Sequence, residues 1–168
     1  MAEGLLRARA AAAGVQVEVH SAGSMSGGSP ATAAAIAVCA ERGIDISAHR
    51  SRRLHWTMVD DANLVIGMSR QHLREAVVLD PAAFPRIYTL RDLVRRVEMN
   101  PHAALEDLHR GRTLQQYEGS DPAEDVADPV GRPMRVYEST VAELDDLITR
   151  LVPALANWTA MARSTEAG

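Results

Sequence analysis

The sequence predicts an α/β fold: a parallel sheet with helices packed on both faces. Three observations carry this. Helix-like and strand-like segments alternate along the chain, in the order helix, strand, helix, strand, helix, strand, helix, helix, and such alternation specifies parallel strands joined by crossover helices. The stretch NLVIGM (63–68) is a short, continuous apolar run, as a strand buried on both faces requires. The chain has 168 residues, 46% hydrophobic and 24% charged, which suffices for one domain with a single core.

The elements follow in order. Residues 1–13 compose a helix that Gly14 closes. Val15, Val17 and Val19 alternate at period two, the signature of a strand over 15–19. The breaker-rich GSMSGGSP (23–30) is a loop. A second helix spans 31–42 and ends at Gly43, and a polar connection leads to the strand at 63–68. Ser69 is placed to cap a helix over 69–79, which Asp80-Pro81 breaks. RIYTL (86–90) is a third strand, and a helix over 91–99 stops ahead of Asn100-Pro101. A polar, weakly periodic segment follows, with a helix at 101–109 and a mobile tip at 111–125. The longest helix opens after Pro133 and gathers Val136, Tyr137, Thr140, Val141, Leu144, Leu147, Ile148 and Leu151 on one stripe. The domain is expected to span 1–153, with 154–168 a flexible tail.

Composition narrows the function. The net charge is -4, so no basic surface invites nucleic acid, and arginine runs such as HRSRRL read as solvated faces. No run approaches the ~18 apolar residues of a membrane span, and the alanine run at 10–13 is too short for a signal peptide. A cytoplasmic location is expected. One cysteine, Cys39, allows neither an internal disulfide nor a thiolate cluster. The histidines His20, His55, His72, His102 and His109 show no ligand spacing, so neither metal nor cofactor is expected.

Several stretches together carry a family likeness: MAEGLL…VEVHSAG, AERGIDISAHRSRRL, NLVIGMSRQH, YTLRDL and DVADPVGRPMRVYESTVAELDDLITRLV. In this order and spacing the chain resembles the low molecular weight protein-tyrosine phosphatases, over most of residues 1–153. The resemblance implies a three-layer, flavodoxin-like sheet of four parallel strands. It also implies hydrolysis of a phosphotyrosine protein or a small phosphate monoester through a cysteinyl-phosphate. In that family the counterpart of MAEGLLR directly follows a phosphate-binding loop of the form Cys, five residues, Arg, Ser-Pro. The expectation is therefore that the first, central strand and that loop lie upstream of Met1.

The chemistry of the loop explains its importance. A cysteine attacks phosphate as a thiolate, which backbone N–H groups at a helix N-terminus stabilise. The same donors bind the phosphate oxygens, and an arginine fork grips two of them. Cys39 is no substitute, because the position six residues on is Asp45 and the thiol lies mid-helix among apolar neighbours, where burial raises its pKa.

The resemblance also carries residues. Asp128, in the Asp128-Pro129 pair ahead of the last helix, matches the family's general acid and base. Asp-Pro pairs are ordinary turn formers, Asp80-Pro81 and Asp121-Pro122 are others here, and Asp121 and Asp125 compete for the role. Pro129 and Val130 match substrate-facing positions, although relatives commonly carry an aromatic where this chain has Val130. Weakened grip on aryl phosphates, or a substrate other than tyrosine, is expected from that change. Met25, in the family's variable specificity loop, offers an apolar contact or simply belongs to a connector. His49 and Arg52 match residues that buttress the phosphate loop; a surface role fits them equally. Two other readings stand: a non-catalytic pseudo-phosphatase or interaction module, and an arsenate reductase, whose disulfide relay needs more thiols than Cys39 provides.

Overall fold

The computed structural model describes residues 1–25 and 27–166. They form two compact units, each with its own core. The first is drawn from Met1–Ala22, Ser26–Arg52 and Ala127–Gly168, and the second from Gly23–Met25 and Arg53–Val126. The sequence predicts one domain held by a continuous sheet. Among the described residues, however, 15–19 joins no ladder.

The first unit is helical. It contains α1 (Ala2–Ala12), α2 (Ala33–Ala40) and α6 (Met134–Glu166). Thr32 caps α2, its hydroxyl oxygen accepting the Ala35 N–H at 3.2 Å. The core joins Leu5 and Ala10 of α1, Val38 and Cys39 of α2, and Tyr137, Val141, Leu144, Ile148 and Leu151 of α6. That α6 stripe is the one its periodicity predicts. The Arg9 guanidinium grips both oxygens of Asp145 at 2.7 Å, tying α1 to α6. Gly4 matters for packing, since a Cβ there would lie 2.8 Å from Cγ2 of Ile46. Along 15–19 the valines turn inward and Gln16 and Glu18 outward, so the alternation is real although the ladder is absent.

The tail expected at 154–168 is instead helical to Glu166; Ala167 and Gly168 lie outside the described residues. Pro153 sits inside α6 without ending it. An internal proline costs about 3 kcal/mol, but Leu151, Val152, Ala154 and Leu155 are all buried around it. Packing of four apolar side chains, at about 1.5–3 kcal/mol for each large one, outweighs that cost.

The second unit holds the parallel pair β1 (Val65–Gly67) and β2 (Ile87–Thr89), in register Val65–Ile87, Ile66–Tyr88 and Gly67–Thr89. Between them runs α4 (Arg70–Leu79), the crossover that parallel strands need. Ser69 caps it as predicted, accepting the His72 N–H at 3.3 Å. A 3-10 helix (Pro81–Arg86) leads into β2, and α5 (Leu90–Met99) leaves it. Val59, Leu73, Ala76, Val77, Ala83, Ile87 and Tyr117 form the core.

Three local expectations change here. A short helix, α3 (Trp56–Asp60), is too brief to show a period in the sequence. In place of a helix at 101–109 there is one 3-10 turn, Leu105–Asp107. The tip at 111–125, expected to be mobile, is built into the unit: Arg112, Tyr117 and Glu124 are buried. Arg74 also reaches across to donate to the carbonyls of Tyr117 and Gly119 at 2.6 Å each.

Candidate active site

The first turn of α1 collects polar groups from three parts of the first unit. The Glu3 carboxylate accepts the Ser21 hydroxyl, pairs with Arg7 at 2.6 Å, and faces His49 Nδ1 at 3.7 Å. Arg7 also donates to the Val19 carbonyl, at 3.1 Å through Nε. Arg52 donates to the Ser21 carbonyl at 3.2 Å. The structure thus brings His49 and Arg52 to the two residues, Glu3 and Ser21, that organise this helix end. The sequence reading missed Glu3, Ser21 and Arg7. The signal available was the Glu3–Arg7 spacing of four on one helix, which pairs opposite charges.

Asp128 lies in a tight turn ahead of α6. Its Oδ1 accepts the Val130 N–H at 3.0 Å, and the Pro129 carbonyl accepts the Arg132 N–H at 2.9 Å. Gly131 completes the turn at φ 74°, a conformation that favours glycine. The Thr140 hydroxyl of α6 donates to the Ala127 carbonyl at 3.4 Å, and Pro129 is buried. The turn is therefore pinned while the Asp128 carboxylate faces solvent.

The two competing carboxylates are engaged elsewhere. Asp121 Oδ1 accepts the Ala123 N–H at 2.9 Å and Oδ2 pairs with Arg70 at 3.0 Å. Asp125 Oδ1 accepts the backbone N–H of Arg70 at 2.7 Å, at the start of α4. Each is a structural cap or ion pair. Val130 is 64% exposed and presents an isopropyl group beside Asp128; Met25, in the second unit, is 81% exposed. Neither packs into its own unit's core.

Cys39 is at the other extreme, 0% exposed within α2. Burial pushes its thiol up from the ordinary value, and the positive charges of the N-terminus and Arg42 oppose this only in part. A neutral, sealed thiol cannot attack phosphate. Among the described residues no cluster of three His, Cys, Asp or Glu side chains could hold a metal ion, and no helix is long and apolar enough to cross a membrane.

Comparison with known proteins identifies the family. The family model for low molecular weight phosphotyrosine protein phosphatase matches residues 1–107. A protein-arginine-phosphatase of Geobacillus stearothermophilus is 34% identical over 140 residues, 83% of this chain and 77% of the relative. The crystal structure of a low molecular weight protein tyrosine phosphatase from T. tengcongensis aligns at TM-score 0.69 and 33% identity, covering 90% of this chain and 86% of that one. The YwlE arginine phosphatase, in a cysteine-to-serine mutant with a phosphorylated active-site serine, aligns at TM-score 0.71 and 27% identity, over 92% and 85% of the two chains. The α/β architecture is thus the flavodoxin-like one of these enzymes, and the chain belongs to the low molecular weight phosphotyrosine protein phosphatase family.

Proposed function

We propose that this chain forms the body of a phosphoprotein phosphatase working through a cysteinyl-phosphate, with Asp128 as its proton donor and acceptor. Cys39 is sealed and is the one cysteine of residues 1–168, so the attacking thiolate of this mechanism is not among them. One observation carries the reading: the Asp128 turn is pinned with its carboxylate in solvent, while Asp121 and Asp125 are tied up and Cys39 is sealed. A covalent phosphoenzyme is supported by the phosphorylated active-site serine that replaces a cysteine in the YwlE mutant.

The steps balance as follows. A thiolate forms the S–P bond as the substrate's bond to phosphorus breaks, and the Asp128 carboxyl gives its proton to the leaving atom. Water then attacks the cysteinyl-phosphate, the Asp128 carboxylate takes the water's proton, and inorganic phosphate and thiolate are released. Such a positioned acid contributes about 10²-fold or more. Glu3, Ser21, His49 and Arg52 steady the first turn of α1, at the end of the helix where N–H donors favour a phosphate.

The substrate is a phosphorylated protein side chain. Phosphoarginine is favoured over phosphotyrosine, because Val130 and Met25 offer no aromatic wall for a phenol ring and a relative is named for phosphoarginine. Expulsion of a guanidine, a poorer leaving group than phenolate, depends all the more on Asp128. A cytoplasmic location belongs to the same proposal, since a reducing compartment keeps the thiolate free. An arsenate reductase relay lacks thiols to receive the disulfide.

Residues 1–168 should be purified beside a polypeptide extended upstream through in-frame codons, and both assayed with phenyl phosphate and a phosphoarginine peptide. Only the extended form is expected to turn over. Activity of material that starts at Met1 would overturn the proposal, and an inactive extended form carrying the thiolate loop would point to a pseudo-phosphatase.

A further inference from the structure

We infer that residues 130–135, immediately past Asp128, are a docking surface for an acidic segment of the phosphoprotein substrate, and that Arg132 and Arg135 determine that preference. This deepens the proposed function and rests on the reading of Asp128 as the proton donor. All the groups involved belong to the first unit. Val130, Gly131, Arg132, Pro133, Met134 and Arg135 are consecutive exposed residues. Their backbone is nonetheless fixed. The Arg132 N–H closes a turn on the Pro129 carbonyl, and the Val136 N–H bonds to the Pro133 carbonyl, both at 2.9 Å. The Tyr137 side chain that follows is buried, and its hydroxyl accepts the Thr32 hydroxyl at 3.3 Å, holding the start of α6 to the start of α2. An exposed surface on a rigid backbone is pre-organised for a partner.

The two arginines are the feature that needs a reason. Elsewhere in the first unit guanidiniums have partners: Arg7 pairs with Glu3, Arg9 and Arg42 with Asp145, and Arg150 with Asp146, while Arg52 donates to the Ser21 carbonyl. Among the described residues the side chains of Arg132 and Arg135 bond to no carboxylate or carbonyl. Nor do they serve the helix. Arg135 stands in the first turn of α6 and Arg132 just ahead of it, with no acidic residue in that turn. A cation is unfavourable at that end of a helix and suits the other, where Arg163 sits. Two unpaired guanidiniums in a chain of net charge -4 are left for a partner, and carboxylates are what they pair with. Val130 and Met134, on either side of Arg132 in sequence, add apolar contact.

Spacing sets where the acidic residues of the substrate lie. Asp128 and Pro129 are neighbours, about 3.8 Å apart at Cα, and a turn from Pro129 to Arg132 spans less than about 7 Å. Arg132 therefore starts within about 11 Å of Asp128, a distance an extended peptide covers in about three residues. Carboxylates about three positions from the phosphorylated side chain are the ones in reach. Ion pairs at an exposed surface are weak, about threefold each in affinity, and a contact this far from the reacting atoms acts on KM rather than kcat.

The probes are two peptides that differ only at the positions about three residues before and after a central arginine, glutamate in one and glutamine in the other. Without phosphate and at low salt, the glutamate peptide is expected to shift the amide resonances of 130–135 in residues 1–168. The shifts should vanish in the Arg132→Gln/Arg135→Gln double variant and at 1 M salt, where screening acts within about 3 Å. No shift at 130–135, or equal shifts with the glutamine peptide, overturns the proposal. With the central arginine phosphorylated, the extended polypeptide should show a KM about tenfold lower for the glutamate peptide, and the double variant should bring the two within about twofold. Equal KM values in the unsubstituted protein, or a preference that survives the double substitution, also overturn it. Lysine at the same positions repels both arginines and should raise KM above the glutamine value, which gives the same reading without a substitution if the variant folds poorly. Full turnover by Asp128→Asn, or no turnover of either phosphopeptide by the unsubstituted protein, defeats the proposed function instead, and the shifts in residues 1–168 then decide the docking surface on their own.

Discussion

The guanidinium of Arg112 lies 3.9 Å from the centroid of the Tyr88 ring, inside a box that Phe84 and Tyr117 complete at 4.7 and 5.2 Å. Its side chain is wholly buried, and its donors go to the Tyr117 hydroxyl at 2.9 Å and to the Phe84 carbonyl at 3.2 Å, with Asp92 at 3.7 Å. One side chain thus joins β2, the 3-10 turn at Leu114–Tyr117 and α5. Replacing it leaves buried acceptors without donors and a void between rings. Arg112→Ala is expected to lower stability by about 3–5 kcal/mol, a large share of a typical ~5–15. Arg112→Lys keeps the charge but loses the planar fork and the stacking, so it should recover less than half. Urea unfolding monitored by tyrosine fluorescence measures both.

Asp92 gives the second unit an acid-sensitive point. Burial alone would raise its pKa, but hydrogen bonds from Tyr117 at 2.6 Å and from Arg96 at 3.0 Å, with the nearby charges of Arg96 and Arg95, hold it below the ordinary carboxylate value. A carboxylate whose folded pKa is depressed stabilises the fold above its unfolded pKa, and that contribution disappears as pH falls through the folded one. Stability should therefore decline from about pH 4 downward. Asp92→Asn is expected to be less stable at pH 7 and to show a flatter decline below pH 4. Urea midpoints across pH 2–7 test this, and an equally steep acid limb in the variant would count against it.

Much of this could be read in the sequence, and the exceptions share a physical cause. Ser69 and the α6 stripe are local signals, a cap and a period, and both appear as predicted. The strand over 15–19 kept its alternation but not its ladder, because a strand is completed only by a partner's backbone. The length of α6 was underestimated: the flexible tail expected at 154–168 is helical to Glu166, with Leu151, Val152, Ala154 and Leu155 buried around Pro153. The turn at Asp128-Pro129 was legible, since Asp-Pro pairs form turns, and it stands ahead of α6. Glu3 and Ser21 were not, since each acquires its role from a partner 18 positions away.

Cys39 should behave as a core residue and not as a reagent. With no exposed surface and a thiol pushed up by burial, it is expected to resist a disulfide reagent at pH 7 in the folded protein and to react fully in denaturant. Cys39→Ala should cost about 1 kcal/mol through the lost sulfur contacts and leave turnover by the extended polypeptide unchanged. Rapid labelling of the native thiol would contradict the structure directly.

Val130 provides the test of substrate class. Its backbone N–H is bonded to Asp128 while its side chain stands 64% exposed, so a larger group can be placed there without disturbing a core. An aromatic ring stacked on a bound phenol adds about 1 kcal/mol, which at 1.4 kcal/mol per decade is about a fivefold gain in affinity. Val130→Phe in the extended polypeptide is therefore expected to lower KM for phenyl phosphate by about that factor, with kcat little changed because Asp128 keeps its turn. A guanidinium is also attracted to a ring face, but the negative phosphoryl group it carries in phosphoarginine offsets that attraction, so kcat/KM on a phosphoarginine peptide should stay flat. If the valine enzyme already favours phenyl phosphate over the phosphoarginine peptide, and the Val130→Phe substitution improves both alike, an aromatic phosphate is the substrate and the preference for phosphoarginine is wrong.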